Sequence, residues 1–123
     1  MKILFADDDP VTLESLEKCA ISEGFSALLA RDGQQALDLW QRHRPDLLCL
    51  DIMMPRMDGY ELLSRLKSNS LHRDIPVVMI TSRSSEKHRM RALQMGAADY
   101  VIKPYQDDLL KNLIEHLISQ PKL

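Results

Sequence analysis

The sequence predicts an α/β domain made of repeated βα units around a parallel sheet, and three observations carry that prediction. Short apolar runs rich in branched residues alternate with longer amphipathic stretches, and the pair recurs five times along the chain. Cap-forming acids stand just ahead of several amphipathic stretches. Acids, hydroxyls and a lysine directly follow the apolar runs, on the edge where parallel strands all end.

The first strand is expected at Lys2–Ala6. Asp9 before Pro10 pairs an N-cap side chain with a residue suited to the first helical position, so helix one starts there and faces inward through Leu13, Leu16 and Ala20. Strand two is expected at Phe25–Leu29. Asp32 with Gln35, and Asp58 with Glu61, have capping-box spacing ahead of Ala36-Leu37 and Leu62-Leu63, which places the starts of helices two and three. Between them lies strand three, Leu47–Leu50, and Trp40 is expected to pack on helix two. A polar connection from Ser68 to Pro76 leads to strand four, Val77–Ile80. Helix four begins at Ser84 or Ser85, and strand five spans Tyr100–Ile102. The last helix follows Tyr105 and carries Leu109, Leu110, Leu113, Leu117 and Ile118 on one face.

At 123 residues, with 45% apolar and 28% charged residues, the chain suits one compact domain. That domain is expected over 1–120, with 121–123 as a tail. No repeat or linker divides it. A net charge of -2 offers no broad basic field for nucleic acid phosphates or an anionic membrane, so neither is an expected partner. No leader precedes the first strand and no apolar run approaches a membrane span, so cytoplasmic residence is the expectation. Cys19 and Cys49 lie inside apolar stretches and read as buried free thiols. The four histidines share no ligand spacing and read as solvated surface residues.

The strand-end edge collects Asp7, Asp8 and Asp9, then Asp51, then Thr81 and Ser82, then Lys103. Carboxylates forced together repel one another unless a cation sits among them or their protonation shifts. A donor set of oxygens alone suits Mg²⁺ or Mn²⁺ better than zinc. Transfer of a phosphoryl group to a carboxylate brings two anions together, and a metal and a lysine can offset that charge. Asp51 can serve as nucleophile, Lys103 as second cation, and the Thr81 hydroxyl as donor to a phosphoryl oxygen. Asp9 and Asp58 are better explained as helix caps than as ligands.

These residues resemble the receiver domains of two-component response regulators, including the single-domain chemotaxis type. The resemblance rests on Ile3-Leu4-Phe5-Ala6-Asp7-Asp8-Asp9, on Asp51-Ile52-Met53-Met54-Pro55-Arg56-Met57-Asp58-Gly59, on Ile80-Thr81-Ser82, and on Tyr100-Val101-Ile102-Lys103-Pro104-Tyr105. It covers nearly the whole chain. It implies a flavodoxin-like, doubly wound five-stranded sheet of order 2-1-3-4-5 with five helices, an order shared by flavodoxin and chemotaxis receivers and not read from the apolar pattern. It also implies that Asp51 is phosphorylated and that Asp8, Asp51 and the Met53 backbone carbonyl hold the metal, with Asp7 acting through water. Thr81 and Lys103 would grip the phosphoryl group. Tyr100 would swing inward as Thr81 moves, and Lys103-Pro104 would be cis.

The resemblance further implies a signalling switch with Mg²⁺-dependent self-phosphorylation and self-dephosphorylation, not a turnover enzyme. A sensor histidine kinase or phosphotransfer protein would load Asp51, and the face of helix four, strand five and helix five would then engage a target or output domain. Gln94, Ala98 and Asn112 stand where receivers that dimerise through that face usually carry charges, so a monomer is expected. A dehalogenase-like phosphatase would want an acid two residues after the nucleophile, where this chain has Met53. A flavodoxin-like cofactor binder would want a phosphate loop where this chain has three acids, which would repel it.

Overall fold

The computed structural model describes residues 1–69 and 73–119. The elements follow in order as β1 (Lys2–Ala6), α1 (Pro10–Ser22), β2 (Ser26–Ala30), α2 (Gly33–His43), β3 (Leu47–Leu50), α3 (Gly59–Ser68), β4 (Val77–Thr81), α4 (Glu86–Gln94), β5 (Asp99–Ile102) and α5 (Asp107–Ser119). All strand pairs are parallel, and the sheet runs β2-β1-β3-β4-β5. This is the flavodoxin-like order that the resemblance implies. The tail expected at 121–123 lies outside the described residues.

Alternate strand residues face opposite layers, as period two requires. Leu4, Ala6, Leu48, Leu50, Val77, Met79 and Tyr100 join the core under α2, α3 and α4. Ile3, Phe5, Leu47, Cys49, Val78, Ile80 and Val101 join the core under α1 and α5. Both faces are covered, which is why the strands read as continuous apolar runs with no alternation. Trp40 is fully buried on the inner side of α2. Cys49 is buried and Cys19 half-buried, both as free thiols.

The helix starts obey the cap chemistry. Asp9 accepts from the Val11 amide at 3.0 Å and from the Thr12 hydroxyl at 2.8 Å. Asp32 accepts from the Gln35 amide at 2.7 Å, while the Gln35 side chain reaches back to the Arg31 amide, one residue earlier than a regular capping box. Asp58 accepts from the Glu61 amide at 2.9 Å, but the Glu61 carboxylate turns to Arg65 instead of closing the box. Ser85 caps α4. Strand two is shifted by one residue from the sequence expectation, because Ser26 and not Phe25 pairs with Lys2. Strands four and five gain Thr81 and Asp99, which enter the ladder opposite Ile102 and Val78. Part of the polar connection at 68–76 falls outside the described residues. Lys67 Nζ ties its described end by donating to the carbonyls of Arg73 and Ile75 at 2.8 and 3.0 Å. Among the described residues no helix is long and apolar enough to cross a membrane.

Candidate functional site

Backbone pairing beyond the strands delivers the chemistry to one edge. The Asp7 amide donates to Ala30 O at 3.1 Å, the Asp51 amide to Ala6 O at 2.9 Å, and the Lys103 amide to Thr81 O at 2.8 Å. Asp7, Asp51 and Lys103 are therefore each the next step of a parallel ladder.

There, residues far apart in sequence meet. Lys103 Nζ donates to Asp7 Oδ2 at 2.5 Å and to Asp51 Oδ2 at 2.9 Å. Asp7 and Asp51 are only 2% and 8% exposed, while Asp8 faces solvent. Burial pushes the Asp7 carboxyl above the usual carboxylate range, although Lys103 and the Asp9 amide, which donates to it at 2.9 Å, pull the other way. Burial also opposes the Lys103 charge, but its hydrogen bonds to Asp7 and Asp51 and their charges outweigh that and hold its pKa above the ordinary lysine value. One carboxylate oxygen from each of Asp7, Asp8 and Asp51 falls within 4.8 Å of the others. Such an all-oxygen donor set, excess in negative charge despite Lys103, fits a hard divalent cation.

Thr81 is fully buried at the end of β4, and its hydroxyl oxygen accepts from the Arg83 amide at 3.3 Å. Tyr100 lies on the inside of the molecule, 7% exposed, and its hydroxyl donates to the Arg83 carbonyl at 2.6 Å. Burial raises that phenol to about 12, so it remains a donor at ordinary pH. Arg83 is thus held at its amide by Thr81 and at its carbonyl by Tyr100. Met53 is half exposed; its amide donates to Asp51 Oδ1 at 3.3 Å, and its sulfur lies 3.2 Å from Arg83 Nη2. The Lys103-Pro104 bond is cis. Ser82 is exposed, and the side chains of Asp9 and Asp58 act as helix caps.

Residues 3–115 match the response regulator receiver domain family. The chain belongs to that family. It is 41% identical over 122 residues to Response regulator MprA of Mycobacterium leprae (strain TN), an overlap that covers 99% of this chain and 53% of that protein. The chain thus spans about half the length of the curated relatives it matches. Among solved structures it resembles the signal receiver domain of a signal transduction histidine kinase from Syntrophus aciditrophicus, with TM-score 0.89, 35% identity, and coverage of 96% of this chain and 89% of that one. It also resembles the receiver domain of a sensor histidine kinase from Pseudomonas aeruginosa PAO1, whose structure has a magnesium ion coordinated in the active site cleft. That match has TM-score 0.88 and 28% identity and covers 97% of this chain and 98% of the other.

The receiver fold also brings together side chains that the sequence left unconnected. His88, expected on the solvated surface, is half-buried, and its Nδ1 lies 2.7 Å from the Tyr60 hydroxyl. The Arg91 guanidinium sits 4.0 Å from the centre of the same Tyr60 ring. His43 is half-buried as well, its carbonyl accepting from Lys2 Nζ at 3.4 Å. His116 is exposed, and His72 lies outside the described residues. No local motif marks the Tyr60–His88 pair, because α4 buries only Ala92 and so carries no apolar stripe to show which way His88 and Arg91 face.

Proposed function

We propose that this receiver domain takes a phosphoryl group on Asp51 and uses it to reset the loop between β4 and α4. The carboxylate oxygen of Asp51 forms the new bond to phosphorus, and the bond from phosphorus to the donor breaks with its electron pair leaving on the donor. Asp8, Asp51 and the Met53 backbone carbonyl would hold Mg²⁺ or Mn²⁺, with Asp7 acting through bound water. That cation would supply neutralisation of charge on the phosphoryl oxygens. The observation that carries the reading is the bridge of Lys103 between buried Asp7 and Asp51, with Asp8 beside them.

Lys103 gives the same site a cation that stays charged, because its pKa is raised. Thr81 uses one of its lone pairs to accept from the Arg83 amide and keeps its hydroxyl proton to donate to a phosphoryl oxygen. Turning that hydroxyl toward Asp51 loosens its hold on Arg83, and Tyr100, anchored on the Arg83 carbonyl, follows the loop. Loop and tyrosine border α4 and β5, so the change reaches the face formed by α4, β5 and α5. A sensor histidine kinase or phosphotransfer protein is the donor in this reading, and a protein target or output domain reads the face.

The test is incubation with a small acyl-phosphate donor, with and without Mg²⁺, and location of the modified residue by mass spectrometry. Mg²⁺-dependent labelling of Asp51 that Asp51→Asn abolishes is the expected result. Labelling elsewhere, or turnover of assorted phosphate esters without a trapped acyl phosphate, refutes it.

A further inference from the structure

Helix α4 is weakly rooted: Ala92 is its one buried residue, whereas α3 buries Gly59, Tyr60, Leu62, Leu63 and Leu66. With so little apolar area covered, α4 depends on individual contacts to fix its position. Four of those contacts converge on Tyr60. Its hydroxyl meets His88 Nδ1 at 2.7 Å and the His88 carbonyl at 3.4 Å. The His88 ring stacks at 15° to the tyrosine ring with centroids 6.0 Å apart, and Arg91, one turn along, covers the ring at 4.0 Å. His88 and Arg91 are spaced to share one face of α4.

Tyr60 is in turn fixed to the acceptor loop. The Gly59 amide donates to the Ile52 carbonyl at 2.9 Å. A Cβ at Gly59 would run into the Asp51 carbonyl and the Ile52 Cα, so the backbone of α3 begins in direct contact with the acceptor residue. A displacement of Asp51 or Ile52 therefore moves the first turn of α3, and Tyr60 with it.

We infer that Tyr60 and His88 are positioning residues that tie α4 to the helix following Asp51, a linkage separate from the one through Thr81, Arg83 and Tyr100. The Tyr60 hydroxyl is the joint. Its hydrogen bond decides where the first turn of α4 rests, while Arg91 and the ring stacking limit how far the helix can rotate about it.

Hydrogen exchange of the α4 amides in the full chain tests the joint without phosphorylation. Tyr60→Phe keeps the ring, the stacking and the Arg91 contact and deletes the hydroxyl alone. Loss of one such bond makes α4 exchange about fivefold faster, with α5 unchanged. His88→Ala gives a similar acceleration, and His88→Asn, which retains a polar acceptor near the Nδ1 position, restores most of the protection. The double variant Tyr60→Phe with His88→Ala exchanges no faster than His88→Ala. Wild-type exchange in Tyr60→Phe, or fully additive effects in the double variant, overturns the inference. A second arm rests on the proposed acceptor role of Asp51: beryllofluoride with Mg²⁺ should shift α4 amide resonances less in Tyr60→Phe than in wild type, with Asp51-loop resonances shifting equally. An α4 response of wild-type size in Tyr60→Phe overturns the linkage. If even the wild-type protein shows no response to beryllofluoride, the acceptor reading falls, and the exchange measurements alone decide for or against the joint.

Discussion

Replacing Lys103 with methionine keeps the aliphatic stem and removes the ammonium that lies 2.5 Å from Asp7 and 2.9 Å from Asp51. At an effective dielectric constant of about 20, each contact is a gross attraction of roughly 6 kcal/mol, most of it cancelled by the cost of taking three charges out of water. Removal is not the mirror image of formation, because it strands two buried carboxylates. Stranding one partner of a buried pair costs about 3–5 kcal/mol. The Lys103 side chain is 21% exposed, and Asp7 can escape by taking up a proton, so the lower end applies, about 3 kcal/mol near neutral pH. For a domain of this size that loss lowers Tm by roughly 10 °C.

The sign of the pH dependence follows from Asp7. Burial already holds its folded-state pKa above the unfolded value of 3.8, and loss of Lys103 raises it further. A raised pKa means that the folded state binds a proton the unfolded chain would release, so the group stabilises at low pH and that contribution disappears as pH rises through the folded value. The deficit of Lys103→Met against wild type therefore shrinks on acidification from neutral toward the ordinary carboxylate range. Mg²⁺ restores more stability to the variant than to wild type, since it meets two acids without a competing ammonium. Urea unfolding in EDTA and in millimolar Mg²⁺, near neutral pH and at about pH 5, measures all three effects. A variant as stable as wild type in EDTA near neutral pH, or a deficit that does not shrink with acid, refutes the reasoning.

Gly59→Ala places a Cβ against the Asp51 carbonyl and Ile52 Cα and should cost about 1–3 kcal/mol in urea unfolding, more than any helix-propensity gain returns. Trp40→Ala empties a fully buried site in α2 and should cost about 3–5 kcal/mol by the same measurement. Asp9→Ala deletes the cap of α1, with its bonds to Val11 and Thr12, and should cost about 1 kcal/mol without abolishing Mg²⁺ binding, which isothermal titration reads directly. Met53→Asn exchanges an apolar side chain in contact with Arg83 for a polar one beside Asp51, the proposed acceptor; an acyl phosphate formed there should then decay faster, and an unchanged decay rate by mass spectrometry counts against a shielding role for Met53.

The strand-end residues were legible because parallel topology makes them so. Once five βα units are recognised, the residue after each strand must lie on one edge, and Asp7, Asp51 and Lys103 reach each other there through ladder hydrogen bonds that continue past the strands. Capping was legible for the same reason: Asp9, Asp32 and Asp58 act on amides two or three residues away, within reach of local pattern. The sheet order was not in the pattern of apolar runs at all and came through resemblance. The one-residue slip of β2 is also beyond pattern, since Phe25 and Ser26 are both compatible with strand and only pairing to Lys2 chooses between them.

What stayed hidden is the contact between helices. Tyr60 and His88 lie 28 residues apart on two helices that share one face of the sheet, and their meeting depends on the rotation of each helix about its axis. For α3 the apolar stripe fixes that rotation, but α4 has almost no stripe, with Ala92 alone buried. A helix without an apolar face gives the sequence reader no phase, and for the same reason it gives the molecule little to hold it by. The side chains that then orient α4, His88 and Arg91, are polar ones that read as solvated when taken singly. The part of this receiver that is hardest to read from sequence is therefore the helix least anchored by apolar burial, and in the proposed mechanism it borders the loop that is reset.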